Sequence, residues 1–376
     1  MGNKLLSIVV PTKNRYYYLK YLIRLINELN TDDIELVIQD NSDNNQEFLE
    51  YLNKEKFDFI RYDYVRGQIP MADNSDRGIL NSTGEYVCFI GDDDGVTKYI
   101  IDAVKWMKRN GVEALKTASP NYCWPDAPVG RKAAILYQHF TEKVEFLSPM
   151  QELIKVLRGG ICTRGNMPLA YHSIVKRETL DIVYNVCGTY FPGNSPDISN
   201  AVALSLVVKK FALVNVPVAY SGSSAYKGGG VYARGNAAPA IDQIPWFRPN
   251  PVERWDKELP QVAAGSIIWA DSALESLNRM GRNDIRKYFD KYKCYANLIV
   301  SMPNLSQYVY AICGNSLKLK VACLDALLKK YYNGIVFHFG KTLRMANAPH
   351  YVDGVNNIIE ASRALEELSN DAVFSH

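Results

Sequence analysis

Apolar and polar positions along the first part of the chain follow two different periods in turn. Continuous apolar runs such as LLSIVV (5–10) are typical of strands buried on both faces of a parallel sheet. The next segment, RYYYLKYLIRLINEL (15–29), has apolar residues at helical spacing. Four such pairs of strand and helix follow one another up to about residue 110. This order predicts βαβ units with right-handed crossovers, and therefore a doubly wound α/β sheet.

The pattern changes near residue 245, where segments with helical periodicity replace the alternation. We therefore predict two regions, an α/β domain over 1–240 and a C-terminal helical region over 241–376. One segment of the second region, LKLKVACLDALLKKYY (317–332), is amphipathic and basic. Contact with a membrane surface, packing in the core and contact with another subunit all remain open for it.

Composition indicates a folded protein with no strong charge preference. The 376 residues are 47% hydrophobic and 22% charged, and 43 Lys and Arg against 40 Asp and Glu give a net charge of +3. This balance does not indicate a nucleic-acid partner. Seven scattered cysteines without a C-x-x-C pair predict reduced thiols, and the apolar run at 5–10 is too short for a signal peptide or a membrane span. We expect a cytoplasmic protein, either soluble or peripheral on the inner face of the cell membrane.

Polar clusters follow three of the predicted strands, namely PTKNR (11–15), DNSDN (40–44) and GDDDG (91–95). Ligands of doubly wound sheets bind outside the carboxyl ends of the strands. The adjacent aspartates in GDDDG repel one another, and burial would make each harder to ionise. A divalent cation such as Mg²⁺ or Mn²⁺, which prefers oxygen ligands, would offset that repulsion. A solvated acidic turn at the start of the next helix is the alternative.

The other two clusters have side chains suited to a nucleotide. Asp40 can accept from a base N–H or a ribose hydroxyl, although an Asx turn is an alternative role. Lys13 and Arg15 can pair with a phosphate or a base. Each cluster alone is a weak signal, but the three in this order form a specific pattern.

Four stretches that carry these clusters resemble family 2 glycosyltransferases of the GT-A fold, which invert the anomeric centre and serve bacterial surface polysaccharide assembly. They are SIVVPTKNR, ELVIQDNSDN, NSDRGILNSTGEYVCFIGDDDG and PGNSPDI, within 5–222. The resemblance implies a Rossmann-like mixed sheet, a nucleotide-sugar donor, expected to be a UDP-sugar, and Mn²⁺ or Mg²⁺ as cofactor. The stretch QDNS (39–42) departs from the usual D-D-G-S of the family, which leaves the preferred base open.

The resemblance also implies roles in donor binding for the matching positions. Pro11 and Thr12 would line the base pocket near Arg15, and Asp40 would contact the base. Two residues of the helix before GDDDG would face the nucleotide or its phosphates: Asn74 and Arg77.

The three aspartates would have unequal roles. Asp92 and Asp93 would share the ribose and the water shell of the metal, and Asp94 would bind the metal that bridges the diphosphate, with Asp92 as a second metal ligand. Inverting transfer also needs a base for the acceptor hydroxyl. The resemblance implies that Asp197 in NSPDI is this base, and Asp197 can also cap the helix that follows.

Weaker signals leave their alternatives open. His172 is expected to lie within a strand rather than in catalysis. Trp124, Trp246 and Phe247 can form an acceptor platform or pack in the core. The glycine-rich basic segment 223–239, with Lys227 and Arg234, can order over a diphosphate or merely connect its neighbours.

The expected function is metal-dependent, inverting transfer of a sugar from a nucleotide donor to a hydroxyl of a glycan or lipid-linked glycan. The helical region would then serve acceptor selection, assembly into a homo-oligomer or membrane docking. One alternative is a sugar-nucleotide nucleotidyltransferase, which needs a glycine-rich loop that VVPTKNRYYY (9–18) lacks. A non-catalytic carbohydrate-binding protein that retains the fold is the other.

Overall fold

The computed structural model describes residues 4–225, 240–339, 342, 348–369 and 372–375, so that Lys227 and Arg234 lie outside the described residues. The strands are β1 (Leu6–Thr12), β2 (Ile34–Asp40), β3 (Ile60–Tyr64), β4 (Tyr86–Phe89), β5 (Gly95–Val96), β6 (Ala114–Ala118), β7 (Asn121–Cys123), β8 (Ala134–Tyr137), β9 (Val144–Leu147), β10 (Ser173–Lys176), β11 (Phe211–Pro217), β12 (Ala219–Ser223) and β13 (His350–Asp353). The helices are α1 (Tyr16–Glu28), α2 (Gln46–Glu55), α3 (Met71–Leu80), α4 (Ile100–Asn110), α5 (Pro149–Arg158), α6 (Arg177–Cys187), α7 (Pro196–Val207), α8 (Pro251–Arg254), α9 (Gly265–Arg279), α10 (Lys291–Ser301), α11 (Ser306–Cys313), α12 (Leu317–Phe339) and α13 (Ile358–Leu368).

An eight-stranded mixed sheet in the order β3-β2-β1-β4-β10-β6-β11-β9 forms the centre of the molecule. Strands β1 to β4 are parallel to one another, whereas β10 runs antiparallel to both β4 and β6. Thr12 pairs with Asp40 in the register of β1 and β2, so the predicted clusters after these strands meet at one edge of the sheet. The mixed α/β sheet predicted from the sequence is confirmed.

Helices cover both faces of this sheet. On β1, Ile8 and Val10 pack in one core with residues of α1, α2 and α4, whereas Val9 packs in another with residues of α3, α6 and α7. Successive side chains of a strand point to opposite faces, so a strand covered on both sides needs the continuous apolar run seen at 5–10. The doubly wound arrangement follows from this double burial.

Helix α7 connects the sheet to the C-terminal helices and positions the start of the NSPDI segment. Its residues Ala203 and Leu204 belong to the core that contains Val9, while Ile198 and Val202 belong to a third core with α5, α9 and α10. A helix that is apolar on most of its circumference is expected to be buried, as this one is.

The end of the chain returns to the first core. Strand β13 pairs antiparallel with β8 in a second sheet of order β13-β8-β7-β12-β5, and residues of α13 share a core with α1. The division at residue 240 stays a prediction. Within the described ranges, no helix has the length and apolar character needed to cross a bilayer.

Candidate functional site

A cavity of about 1030 Å³ opens at the carboxyl ends of β1 and β4. Its sheet side includes Pro11, Thr12, Arg15, Asp92 and Asp93, which the sequence had placed in a nucleotide site. The helical side adds residues that the sequence did not connect to these: Asn200, Trp246, Ser266, Trp269, Asn297 and Ser301. The cavity therefore lies between the sheet and the helices of the third core.

Arg15 places one positive charge beside the first two aspartates of the GDDDG turn. Its Nη2 lies 2.8 Å from Asp93 Oδ2, and its Nε lies 3.1 Å from Asp92 Oδ1. The Nε–H is buried and does not point at that oxygen well enough to form a hydrogen bond, so the contact with Asp92 is Coulombic. Thr12 Oγ1 donates to the other oxygen of Asp92 at 2.6 Å, and Ser224 Oγ donates to Asp93 Oδ2 at 2.6 Å.

Burial and charge act in opposite directions on these groups. Burial and the charge of Asp93 together raise the pKa of Asp92 to about 7, in spite of the attraction to Arg15. Burial lowers the pKa of Arg15, but Asp92 and Asp93 raise it more, so the guanidinium stays charged. Arg15 therefore stays positively charged beside the two carboxyl groups, whereas the Asp92 carboxyl changes its charge near neutral pH.

Asp94 turns away from the cavity. Its Oδ1 accepts from the backbone N–H of Gly222 at 2.7 Å, and its Oδ2 accepts from that of Gly91 at 2.6 Å. The same Oδ2 lies 2.7 Å from Nε2 of His172, a buried side chain that precedes β10. Burial raises the pKa of Asp94, but the charge of His172 and these hydrogen bonds lower it more, to well below its usual range.

The backbone around Asp94 is tightly packed because β12 passes directly over it. A Cβ on Gly222 would lie 1.7 Å from the carbonyl oxygen of Asp93, so only glycine fits at this position. His172 adopts a φ of 56°, in the left-handed region, and lies outside the strand in which the sequence had placed it. Both features hold the aspartate turn against the end of β12.

The repulsion within GDDDG is thus offset in the structure by Arg15 and His172. The described residues contain no group of three or more His, Cys, Asp or Glu side chains arranged to hold a metal ion. Both oxygens of Asp94, the predicted metal ligand, are taken by donors of the protein, whereas Asp92 and Asp93 line the cavity. One or two carboxylates together with substrate phosphates are the usual donor set for Mg²⁺, and Asp92 with Asp93 fits that set better than Asp94 does.

Asp40 is also turned inward. Its carboxylate is fully buried and accepts from Tyr16 Oη and Tyr62 Oη, each at 2.7 Å, and from the Ser42 backbone N–H at 2.8 Å. The last of these bonds is the Asx turn that the sequence left open. The structure therefore does not bring Asp40 to the cavity, and the neighbouring Asn41 lines it instead.

The two predicted residues of α3 differ in position. Asn74 lines the cavity, and its buried Oδ1 has no hydrogen-bond partner among the described residues, while its Nδ2 lies 3.5 Å from Gln39 O. Because a buried acceptor without a partner is costly, a hydrogen-bond donor placed in the cavity would stabilise this oxygen. Arg77 is exposed on the outer side of α3 and does not line the cavity.

Asp197 lies across the cavity in the first turn of α7. Ser195 is the residue at the N-cap position, so Asp197 lies within the first turn and is not the N-cap residue. Its Oδ1 accepts from Ser195 Oγ at 2.7 Å and from the Ile198 N–H at 2.8 Å. Its Oδ2 lies 3.6 Å from Arg164 Nη1, and the side chain is 22% exposed.

Several residues of the site were not found from the sequence. Arg164 stacks near the rings of Tyr171 and Trp269, and Arg248 joins the C-terminal region to α3 through an Nε–Asp73 contact of 2.6 Å. These residues belong to separate segments without a recognisable motif. Among the aromatic residues named from the sequence, Trp246 lines the cavity, whereas Trp124 and Phe247 are buried.

Comparison with known proteins finds similarity in the N-terminal region. Residues 7–161 match the model of Glycosyl transferase family 2. Over 95 residues, 24% of this chain, the sequence is 33% identical to GalNAc(5)-diNAcBac-PP-undecaprenol beta-1,3-glucosyltransferase of Campylobacter jejuni subsp. jejuni. The alignment spans 29% of the length of that protein.

Two solved structures align with most of the chain at low sequence identity. S. aureus TarS 1–349 in complex with UDP-GlcNAc is 16% identical with a TM-score of 0.47, over 88% of this chain and 92% of that one. Mannosyltransferase PcManGT from Pyrobaculum calidifontis, in complex with GDP-Man and Mn²⁺, is 15% identical with a TM-score of 0.44, over 98% and 88%.

Proposed function

We propose that the protein is a family 2 glycosyltransferase, which transfers a sugar from a nucleotide donor to a glycan hydroxyl; the match of residues 7–161 to the model of that family supports the proposal. The observation that carries the proposal is a single cavity lined by Asp92 and Asp93 on one side and by Asp197 on the other. A donor diphosphate beside the first pair would leave its sugar between them and Asp197. The expected donor is a UDP-sugar.

The sheet side of the cavity binds the donor in this proposal. Pro11, Thr12 and Asn41 form the part nearest the nucleoside, and the Oδ1 of Asn74 accepts a hydrogen bond from it. Arg15 offsets the charge of Asp92 and Asp93, so that an anionic diphosphate can approach two carboxylates without strong repulsion. Neither Asp40 nor Arg77 contacts the donor in this arrangement.

Asp92 and Asp93 are the carboxylates that would hold Mn²⁺ or Mg²⁺ together with the donor phosphates. The cation supplies charge stabilisation for the leaving diphosphate when it is bound. Asp94 acts behind them, since its bonds to Gly91 and Gly222 fix the backbone of the aspartate turn.

Asp197 is the base for the acceptor hydroxyl. Its Oδ1 is engaged by Ser195 and Ile198, so Oδ2 is the oxygen that takes the proton. The acceptor oxygen forms a bond to the anomeric carbon as the bond to the diphosphate oxygen breaks on the opposite face. The product therefore has inverted anomeric configuration.

The helical side of the cavity selects the acceptor. Trp246 and Trp269 offer flat apolar surfaces to sugar rings, and Asn297 and Ser301 offer hydrogen bonds to hydroxyls. The name of the Campylobacter relative, which acts on a polyprenol-linked glycan, supports a lipid-linked glycan acceptor in surface polysaccharide biosynthesis.

A panel of nucleotide sugars incubated with the protein and Mn²⁺, followed by measurement of released nucleotide, tests the activity. In Asp197→Asn we expect donor affinity to be kept while turnover falls by about 10²-fold or more. Asp102→Asn is the matched control, because Asp102 also lies in the first turn of a helix but is exposed on α4. Release and binding of no nucleotide at all would refute the function, and unchanged turnover in Asp197→Asn would refute the assigned base.

A further inference from the structure

Helix α12 exposes a row of apolar side chains on the side that faces away from the protein. Leu319 and Ala322 are its buried residues. Six apolar residues spaced three or four apart are between 47% and 76% exposed: Leu317, Val321, Leu324, Leu328, Tyr331 and Ile335. This spacing places them along one face of the helix, which we call the α12 stripe. A continuous exposed apolar surface of this kind marks an interaction site.

Lysines flank the α12 stripe on both edges. At about 100° per residue, Lys318 and Lys329 lie beside one edge and Lys320 beside the other. The helix contains four lysines and one aspartate, which is a net charge of +3 with its histidine neutral. Long lysine side chains beside an apolar stripe can reach up to phosphate groups while the stripe is buried.

A basic cavity of about 820 Å³ adjoins the start of α12 and shares Lys318 with it. Six cations line it, against the two acids Glu258 and Asp290: Arg158, Arg286, Lys287, Lys291, Lys293 and Lys318. Glu258 pairs with Arg286 and Lys291 at 2.7 Å each. Arg158, Lys287 and Lys318 have no carboxylate partner in the part of the chain that the structure describes. The cavity therefore retains positive charge beside the apolar surface.

We propose that α12 lies flat on an anionic lipid surface, with its apolar stripe at the boundary of headgroups and acyl chains. The lysines and the basic cavity bind the lipid phosphates, as in other amphipathic helices that bind membrane surfaces. A second copy of the chain fits this face less well. A two-fold contact would bring the lysine edges and basic cavities of both copies together, and like charges at an interface are unfavourable.

The position of α12 relates this surface to the main cavity. Lys330 Nζ of α12 donates to Val300 O of α10 at 3.2 Å, and the next residue of α10, Ser301, lines the main cavity. A protein bound to lipid through α12 would hold the helical side of that cavity close to the lipid surface. Delivery of a lipid-linked acceptor from this surface rests on the proposed function, whereas lipid binding does not.

Sedimentation of the full chain with large vesicles tests the proposal. We expect binding to vesicles of phosphatidylcholine with about 30% phosphatidylglycerol, weaker binding in high salt, and little binding to phosphatidylcholine alone. The double variant Leu324→Glu, Leu328→Glu should reduce the partition coefficient about tenfold or more, and Lys318→Glu with Lys320→Glu should do so only for anionic vesicles. Ile182→Glu with Val186→Glu, at exposed apolar positions of α6, is the matched control and should bind as the unaltered chain does.

Equal binding by all variants, or no binding to anionic vesicles, would overturn the proposal. The proposal would also be overturned if the unaltered chain did not bind vesicles but formed a dimer in analytical ultracentrifugation, and if the double variant Leu324→Glu, Leu328→Glu dissociated that dimer. Donor turnover measured without lipid should be the same in the stripe variant and the unaltered chain. If the chain bound vesicles but turned over no donor, the lipid-binding proposal would hold and only the proposed function would be refuted.

Discussion

Replacing His172 by alanine should lower the free energy of unfolding by about 3 to 4 kcal/mol. The His172 and Asp94 side chains are 5% and 0% exposed, and Nε2 lies 2.7 Å from Oδ2. Removal of the imidazole leaves the Asp94 carboxylate with the N–H groups of Gly91 and Gly222 but without its contact to His172 Nε2. Removing one partner of a buried ion pair costs about 3 to 5 kcal/mol.

The Asp94 carboxyl can escape part of this cost by binding a proton. A carboxyl with an ordinary pKa of about 4 needs about 4 kcal/mol to be protonated at pH 7, and this sets the upper limit. Unfolding entropy of about 2.1 cal/mol/K per residue over 376 residues is about 0.8 kcal/mol/K. The loss therefore corresponds to a fall in Tm of about 4 to 5 °C.

The loss should also depend on pH. The pKa of Asp94 is lowered in the folded protein, so its ionised form contributes stability above the unfolded pKa of about 4. That contribution disappears as the pH falls through the lowered folded value. Since the variant lacks most of the lowering, the difference between the two proteins should shrink as the pH falls below about 4.

Urea unfolding of His172→Ala, Asp94→Asn and the double variant gives the coupling between the two side chains. We expect a coupling of about 2 kcal/mol, and an intermediate stability for His172→Gln, which keeps a hydrogen-bond donor without a charge. If the two single losses add to within about 0.5 kcal/mol, His172 does not stabilise the Asp94 carboxylate and the electrostatic account of the aspartate turn is refuted.

Two further substitutions test the cavity and its backbone. Asn74→Ala removes the Oδ1 that lacks a partner, so the nucleotide affinity measured by calorimetry should fall about 5- to 30-fold without loss of stability. The control Arg77→Ala changes an exposed residue of the same helix and should bind nucleotide as the unaltered chain does. Equal affinities for both variants would contradict the proposed position of the donor. Gly222→Ala should lower the free energy of unfolding in urea by about 3 kcal/mol or more, because its Cβ would overlap the Asp93 carbonyl. The control Gly334→Ala has open space around it in α12 and should not destabilise the protein. A stable Gly222→Ala protein would show that β12 does not pass the aspartate turn so closely.

The sheet could be predicted because its parallel strands are local signals. The runs at 5–10 and 34–40 are long, apolar and followed by polar residues, and the structure confirms β1 and β2 there. Strands β8, β9 and β13, each four residues long, were not predicted. Such short strands are defined by the strand they pair with, and the pairing of β13 with β8 joins segments more than 200 residues apart.

The site shows the same contrast, because short motifs can be recognised in the sequence whereas contacts between distant segments cannot. Motif residues identified the segments that meet at the strand ends, and the cavity brings together seven of the ten predicted side chains: Pro11, Thr12, Arg15, Asn74, Asp92, Asp93 and Asp197. A motif does not state which way a side chain turns. Asp40 and Asp94 are buried by partners from other segments, Tyr16 and Tyr62 in one case and His172 in the other.

Positive charge was expected beside the GDDDG turn, but its source was predicted only in part. Three adjacent buried carboxylates do need positive charge, and the sequence offered a metal ion as its source. The structure supplies Arg15 for Asp92 and Asp93, and His172 for Asp94, from positions about 80 residues away on either side. In the proposed function Asp92 and Asp93, which line the cavity, would hold the cation. The burial that raises the pKa of Asp92 to about 7 makes binding of a cation there compete with a proton near neutral pH.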